Sequence, residues 1–210
     1  MSTSQTHREP ESLVKVWRSH LLQQQAELHA TFEQKADTAR LLKAHCRLVD
    51  ELLRDLWQQS NLASDVCLIA VGGYGRGELF PYSDIDLLIL LPEHVDDAVN
   101  LRIESIIGLL WDIGLAVGHS VRNLSECLDE AAKDVTVQTN LLEARFLTGN
   151  KTLYQEFRQS FKFTLHPRNF FVAKVLEQEQ RHARFNDTAY NLEPNVKESP
   201  GGLRDLHTVL

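Results

Sequence analysis

Apolar residues change their spacing four times along the chain, and each change predicts a switch between helix and strand. From Glu11 to Gln59 they recur at helical intervals between polar residues, as Leu13, Val16, Trp17 and Leu21 and then as Leu41, Leu42, Leu48, Val49, Leu52, Leu53, Leu56 and Trp57. That period predicts two amphipathic helices. The runs "DVCLIAV" and "IDLLILL" are short, continuous and bounded by Gly, Pro, Ser or Asp, as neighbouring buried strands would be. In "EHVDDAVNLRIESIIGLLWDIG" the residues Val95, Val99, Ile103, Ile106, Ile107 and Leu110 share one helical stripe, and Gly114 stands where a helix should stop. "LAVGHSVRNL" alternates as a third strand would. From Ser125 to about Ala183 the pattern is mostly helical, broken near Gly149 and Pro167. The sheet is expected early and the helices late. The tail "NDTAYNLEPNVKESPGGLRDLHTVL" mixes turn formers with an apolar finish that no capping residue closes, and reads as a chain cut inside a helix.

Composition narrows the class. With 43% apolar residues the 210-residue chain can build a real core. Neither a membrane span nor a signal peptide is legible, since no apolar run approaches about 20 residues and the start "MSTSQTHREPES" is polar. Cytoplasmic residence is expected. Cys46, Cys67 and Cys127 are odd in number and scattered, which leaves no disulfide framework or CxxC knuckle and predicts buried small hydrophobes. A formal charge of −7 argues against a nucleic-acid partner, while a local basic pocket for an anion stays open.

The stretch "AVGGYGRGELFPYSDIDLLIL" carries the chemistry. Asp84 and Asp86 interrupt the start of an apolar strand, and at a spacing of two they project from the same face. Side by side they repel unless a counter-charge sits between them. Mg²⁺, which takes oxygen ligands from one or two carboxylates and from substrate phosphates, suits the pair and points to a nucleoside triphosphate. Gly72 and Gly73 follow the preceding strand directly, where main-chain N–H groups could approach a phosphate with no Cβ in the way. Taken singly, the glycine pair also reads as a tight turn and the aspartates as a solvated strand end beside Pro81–Ser83. Ten residues between Gly73 and Asp84, with apolar residues flanking both acids, favour the functional reading. Two other glycine motifs fail on spacing. A dinucleotide fingerprint would need glycine where Glu78 or Phe80 stands, and a P-loop from Gly72 would need Lys and Ser or Thr where Glu78 and Leu79 stand.

An apolar strand, G-G, about ten residues and D-I-D in a second strand resemble the signature of the DNA polymerase β-like nucleotidyltransferase superfamily. Four blocks, "GGYGRGELFPYSDIDLLIL", "WDIGLAVGHSVR", "LLEARFLTGN" and "EPNVKESPGGLRDL", more closely resemble the PII uridylyltransferase/uridylyl-removing family of bacterial nitrogen regulation, over roughly residues 40 to 210. The resemblance implies an α+β fold: a small mixed sheet, two N-terminal helices over 1–60, a nucleotidyltransferase core over 61–149 and the start of a helical region over 150–210. It implies transfer of UMP from UTP to a tyrosine of the PII signalling protein, with Mg²⁺ as cofactor and pyrophosphate released. In that family an HD phosphohydrolase domain removes UMP and ACT domains sense glutamine. The nine histidines here include no His-Asp dipeptide, so neither uridylyl removal nor glutamine sensing is expected of these residues.

By the same resemblance Asp84 and Asp86 hold the metal and Gly72 and Gly73 receive the triphosphate. Ser83 and Arg76 are phosphate-contact candidates, equally readable as a turn residue and a solvated arginine. Many superfamily members carry a third acid on a later strand, where this chain offers His119 and Ser120. Glu143 is the nearest candidate, with an ion pair to an arginine as its plainer reading, and Asp112 is a weaker one. Lys197 and Arg204, beside Gly201 and Gly202, could close over the triphosphate. Asp205 reads as a cap or as a partner of Arg204. His119 reads as a packed strand residue, and Trp17, Trp57 and Trp111 as core. Two rival functions stay open: another nucleotidyltransferase, adenylyl-transferring or with a small-molecule acceptor, and a catalytically incomplete nucleotide-binding module.

Overall fold

The computed structural model describes residues 10–60, 62, 65–188, 193 and 195–209; the first nine residues of the polar start, and Leu210 at the end of the apolar finish, lie outside them. Two long helices, α1 (Pro10–Lys35) and α2 (Thr38–Gln59), come first. They are separated at Asp37, whose carboxylate caps α2 by accepting the Arg40 N–H at 3.0 Å. Strand β1 (Cys67–Ala70) leads into a single helical turn, α3 (Gly72–Gly75), and then β2 (Ile85–Leu91). Helix α4 (Asp97–Ile113) returns the chain to β3 (Val117–Asn123), which pairs parallel to β2. After α5 (Leu124–Lys133) and α6 (Val135–Leu142) come β4 (Arg145–Gly149), α7 (Lys151–Thr164), α8 (Pro167–Ala183) and α9 (Leu203–Val209).

The sheet order is β3-β2-β1-β4, with β1 antiparallel to both neighbours, so the sheet is mixed as expected. Its two central strands are apolar on both faces because both are covered. Leu68, Ala70, Leu87 and Ile89 pack against Val49, Leu53 and Leu56 of α2 and Ile103, Ile107 and Leu110 of α4. Cys67, Ile69, Leu88 and Leu90 pack against Cys127, Leu141, Phe157 and Phe161. That second layer explains why the β1 and β2 runs do not alternate. Each Leu or Ile so buried is worth about 1.5–3 kcal/mol relative to exposure. The three cysteines are free and buried.

Three expectations are corrected. The segment around Gly149 is not merely a break between helices: Arg145–Gly149 is a fourth strand pairing with β1. Five residues with a charged start and one apolar pair show no strand period, and pairing with β1 makes the strand. Trp111 is not core but 54% exposed, because the C-terminal end of α4 overhangs edge strand β3; its indole N–H donates to the Val117 carbonyl at 3.1 Å. His119 is exposed on the same edge, its ring 5.8 Å from that of Trp111. Trp57 is buried and Trp17 partly so, in the α2–α4 layer. No helix among the described residues is long and apolar enough to cross a membrane.

Candidate active site

The residue after β1, Val71, donates its N–H to the Asp86 carbonyl at 3.0 Å, which ties the glycine turn to β2 at the level of the second aspartate. Gly72 then takes φ +58, in the left-handed region that favours glycine, and a Cβ there would lie 3.0 Å from Asp86 Oδ2. Beyond it the chain forms the one helical turn of α3 rather than an open loop. On the opposite side Gly118 of β3 stands in register with Asp86, and a Cβ there would come within 3.1 Å of Asp86 Oδ1. The Asp86 carboxylate therefore occupies a slot between two glycines. Gly118 escaped the sequence reading because only the parallel register of β2 and β3 brings it to Asp86. Asn140 of α6 escaped it too: its Oδ1 lies 3.6 Å from where a Gly72 Cβ would be.

Asp84 lies one residue before β2 and is exposed, whereas Asp86 is half-buried in the strand. Burial pushes the Asp86 carboxyl above the usual aspartate range, the charge of Asp84 pushes it further, Lys197 pulls it back and Glu143 adds to the rise. A half-buried acid whose ionised form is disfavoured by burial and by a neighbouring acid fits a divalent cation, which relieves both the repulsion and the loss of hydration. Among the described residues no third His, Cys, Asp or Glu joins them in a metal-holding group.

The other candidates separate. Arg76 donates to Glu143 Oε1, and to Glu78 Oε2 at 3.1 Å, while its Nη2 lies 3.4 Å from His207 Nδ1. Its charge is thus matched by two protein carboxylates. Glu143 is the terminal cap residue of α6 and an ion-pair partner of Arg76, although its charge still reaches Asp86. Ser83 is exposed, in a turn closed by its own N–H to the Phe80 carbonyl at 3.1 Å. Lys197 is exposed and acts electrostatically on Asp86. Arg204 instead pairs with Glu198 at 2.9 Å and lines a groove of about 540 Å³ with Lys133, Thr136 and Arg184.

Asp205 has a role that neither capping nor Arg204 anticipated. It accepts from Arg181 at 2.9 Å, Gln178 at 3.1 Å, the Gly201 N–H at 2.7 Å and His182 at 2.9 Å, which fastens the Gly201–Gly202 turn to α8. Burial opposes its ionisation, but the hydrogen bonds from Arg181, Gly201, His182 and Gln178 outweigh it and hold the carboxyl well below the usual range. Through this anchor α8 sets where the segment carrying Lys197 runs.

Comparison with known proteins bears on the family and the domain. Residues 46–147 match the family model described as nucleotidyltransferase domain, and residues 169–210 match that of GlnD PII-uridylyltransferase. The bifunctional uridylyltransferase/uridylyl-removing enzyme of Nitrosospira multiformis is 54% identical over 92% of this chain and 22% of its own length. Those of Burkholderia lata and Aromatoleum aromaticum are 51% and 52% identical, over 96% and 90% of this chain and 23% and 22% of theirs. The chain thus spans less than a quarter of the curated relatives it matches. A solved toxin–antitoxin complex with AMP-PNP is also similar over 66% of this chain and 96% of its own, but at 16% identity and a TM-score of 0.31 that likeness carries no argument. By sequence the chain belongs to the bifunctional uridylyltransferase/uridylyl-removing enzyme family, and it carries a nucleotidyltransferase domain.

Proposed function

We propose that this chain is the uridylyl-transferring part of a longer cytoplasmic enzyme, moving UMP from UTP to a tyrosine of the PII protein and releasing pyrophosphate. The observation that carries the reading is the Asp86 carboxylate held between Gly72 and Gly118 beside Asp84, at the mouth of the turn that follows β1. Asp84 and Asp86 would hold Mg²⁺, and Gly72 and Gly73 would face the triphosphate. When bound, the ion would neutralise phosphate charge and ease loss of the acceptor proton. The chain's own residues supply alignment, since an in-line displacement depends mostly on holding the reacting atoms in place. The tyrosine oxygen forms a bond to the α-phosphorus as the bond to pyrophosphate breaks. The charge of Lys197 already reaches Asp86 and would favour an anionic ligand there. Arg76 serves this reading by fixing Glu143, with direct phosphate contact a secondary role.

The test uses the full-length protein, PII and either UTP or ATP labelled at the α-phosphate. Label should pass from UTP to PII and be lost when the acceptor tyrosine is replaced by Phe. Equal labelling from ATP, or labelling that survives the Phe substitution, would contradict the proposal. A second reading has one observation behind it: with Glu143 engaged by Arg76, Asp84 and Asp86 are the two acids left for a metal at this site among the described residues. Metal-dependent UTP binding without transfer to any acceptor would support that catalytically incomplete module.

A further inference from the structure

Beneath the glycine turn lies a buried polar cluster that the proposed chemistry does not use. Asp50 of α2, 6% exposed, accepts from Tyr74 Oη at 2.6 Å, from Arg145 Nη1 at 2.7 Å and Nη2 at 3.0 Å, and from Arg54 Nη2 at 3.2 Å. Arg145 of β4 also reaches Cys46 Sγ of α2 at 3.3 Å and binds the turn itself. Its Nε reaches the Gly75 carbonyl at 3.2 Å and its Nη2 the Tyr74 carbonyl at 3.1 Å, and the guanidinium carbon lies 5.2 Å from the Tyr74 ring centroid. Burial works against the charge of Arg145, but its hydrogen bonds to Asp50 more than restore it. Burial, and then Asp50, push the Tyr74 hydroxyl well above its usual range, so it stays a donor.

An ion pair between a buried acid and a partly buried guanidinium is a poor source of net stability, because losing hydration costs about as much as the attraction returns. It excels at fixing geometry, since a planar guanidinium whose donors have separate partners can sit only one way. Here the partners are an acid on α2 and two successive carbonyls of α3. Fixing those two peptide planes fixes the one-turn helix, and with it the place of Gly72 against Asp86.

We infer that Asp50 and Arg145 are positioning residues for nucleotidyl transfer, setting from below the height of the Gly72–Gly75 turn over the Asp84–Asp86 pair. This rests on the function proposed above, but its physical core, control of the turn by the buried pair, can be measured without any activity.

The experiment uses full-length protein carrying Asp50→Asn, Arg145→Lys or Tyr74→Phe, with two readouts: amide hydrogen exchange and steady-state transfer kinetics. Lysine keeps the charge of Arg145 but cannot span Asp50 and both carbonyls. Arg145→Lys and Asp50→Asn should speed exchange across residues 72–76 at least about tenfold, with α4 and α8 unchanged. They should also lower kcat by about 10–100-fold with a much smaller change in KM for UTP, as expected for reacting groups displaced by a fraction of an ångström. Tyr74→Phe, which spares every Arg145 contact, should change kcat less than about threefold. Wild-type exchange at 72–76 in Asp50→Asn and Arg145→Lys would overturn the inference, as would exchange that rises equally throughout the chain. If these two variants fail to fold, Tyr74→Phe decides, and a kcat loss as large as that of a catalytic variant would overturn the inference. Should wild-type enzyme prove unable to use UTP, the function proposed above fails while the exchange result still decides the role of the buried pair.

Discussion

Replacing Asp84 and Asp86 together by Asn should cut nucleotidyl transfer by about 10³-fold or more and leave a folded protein that, without divalent cations, melts at a higher temperature than wild type. The loss of rate follows from removing both carboxylates at the point where phosphate charge must be neutralised, the kind of electrostatic contribution that is worth most in a preorganised site. The gain in stability follows from the Asp86 carboxyl. Burial and Asp84 raise its pKa above the ordinary value, so its ionised form is disfavoured in the folded chain relative to the unfolded one. Its relative contribution to stability is therefore greatest at low pH and falls as pH rises through the raised value. Above that value the ionised Asp86 is a burden that neutral Asn does not carry. Adding Mg²⁺ should reverse the order by stabilising wild type and leaving the double variant unmoved. Calorimetry with and without the ion checks both halves, and a lower melting temperature for the metal-free variant would mean that the acids serve the fold.

The second large effect separates a glycine that packing requires from one that it does not. A Cβ on Gly75 would lie 2.2 Å from the Glu143 carbonyl oxygen and 3.0 Å from that of Ala70. Both obstacles are backbone, so relief would mean moving the α6–β4 junction away from the turn. Gly75→Ala should cost about 3 kcal/mol or more of unfolding free energy, read from chemical denaturation. A Cβ on Gly73 would meet only the Glu78 carbonyl at 3.5 Å and the Arg76 guanidinium at 3.6 Å, both ordinary contacts. Gly73→Ala should fold with near-normal stability. If Gly73 faces the triphosphate, as proposed, the added methyl should still raise KM for UTP about tenfold or more. Unchanged kinetics in Gly73→Ala would remove Gly73 from the binding surface.

Much of this was legible in the sequence, for identifiable reasons. The helices were readable because α2 and α4 each bury one stripe, and the stop at Gly114 and the start at Pro167 sit where glycine and proline chemistry puts them. Strands β1 and β2 were readable because both faces are covered, which turns each into an unbroken apolar run. The pair of acids was readable because nothing else in the chain sets two carboxylates at that spacing in an apolar run. What stayed hidden depends on pairing across distance. β4 has no period of its own and exists through its register with β1. Gly118 gains its meaning from lying opposite Asp86, and Asn140 from the way α6 approaches Gly72. Arg145 sits in the quoted block "LLEARFLTGN", yet nothing local indicates that its guanidinium closes on Asp50, 95 residues earlier. Arg76 and Glu143 looked like separate candidates, and their ion pair makes them one unit.

The most direct measurement is calorimetric titration of the full-length protein with UTP, with Mg²⁺ and then with the ion chelated, in wild type and in the Asp84→Asn, Asp86→Asn variant. Wild type should bind UTP in an ion-dependent way, and the variant should bind weakly and equally under both conditions. Ion-dependent binding of undiminished affinity in the variant would place the nucleotide site elsewhere on the chain.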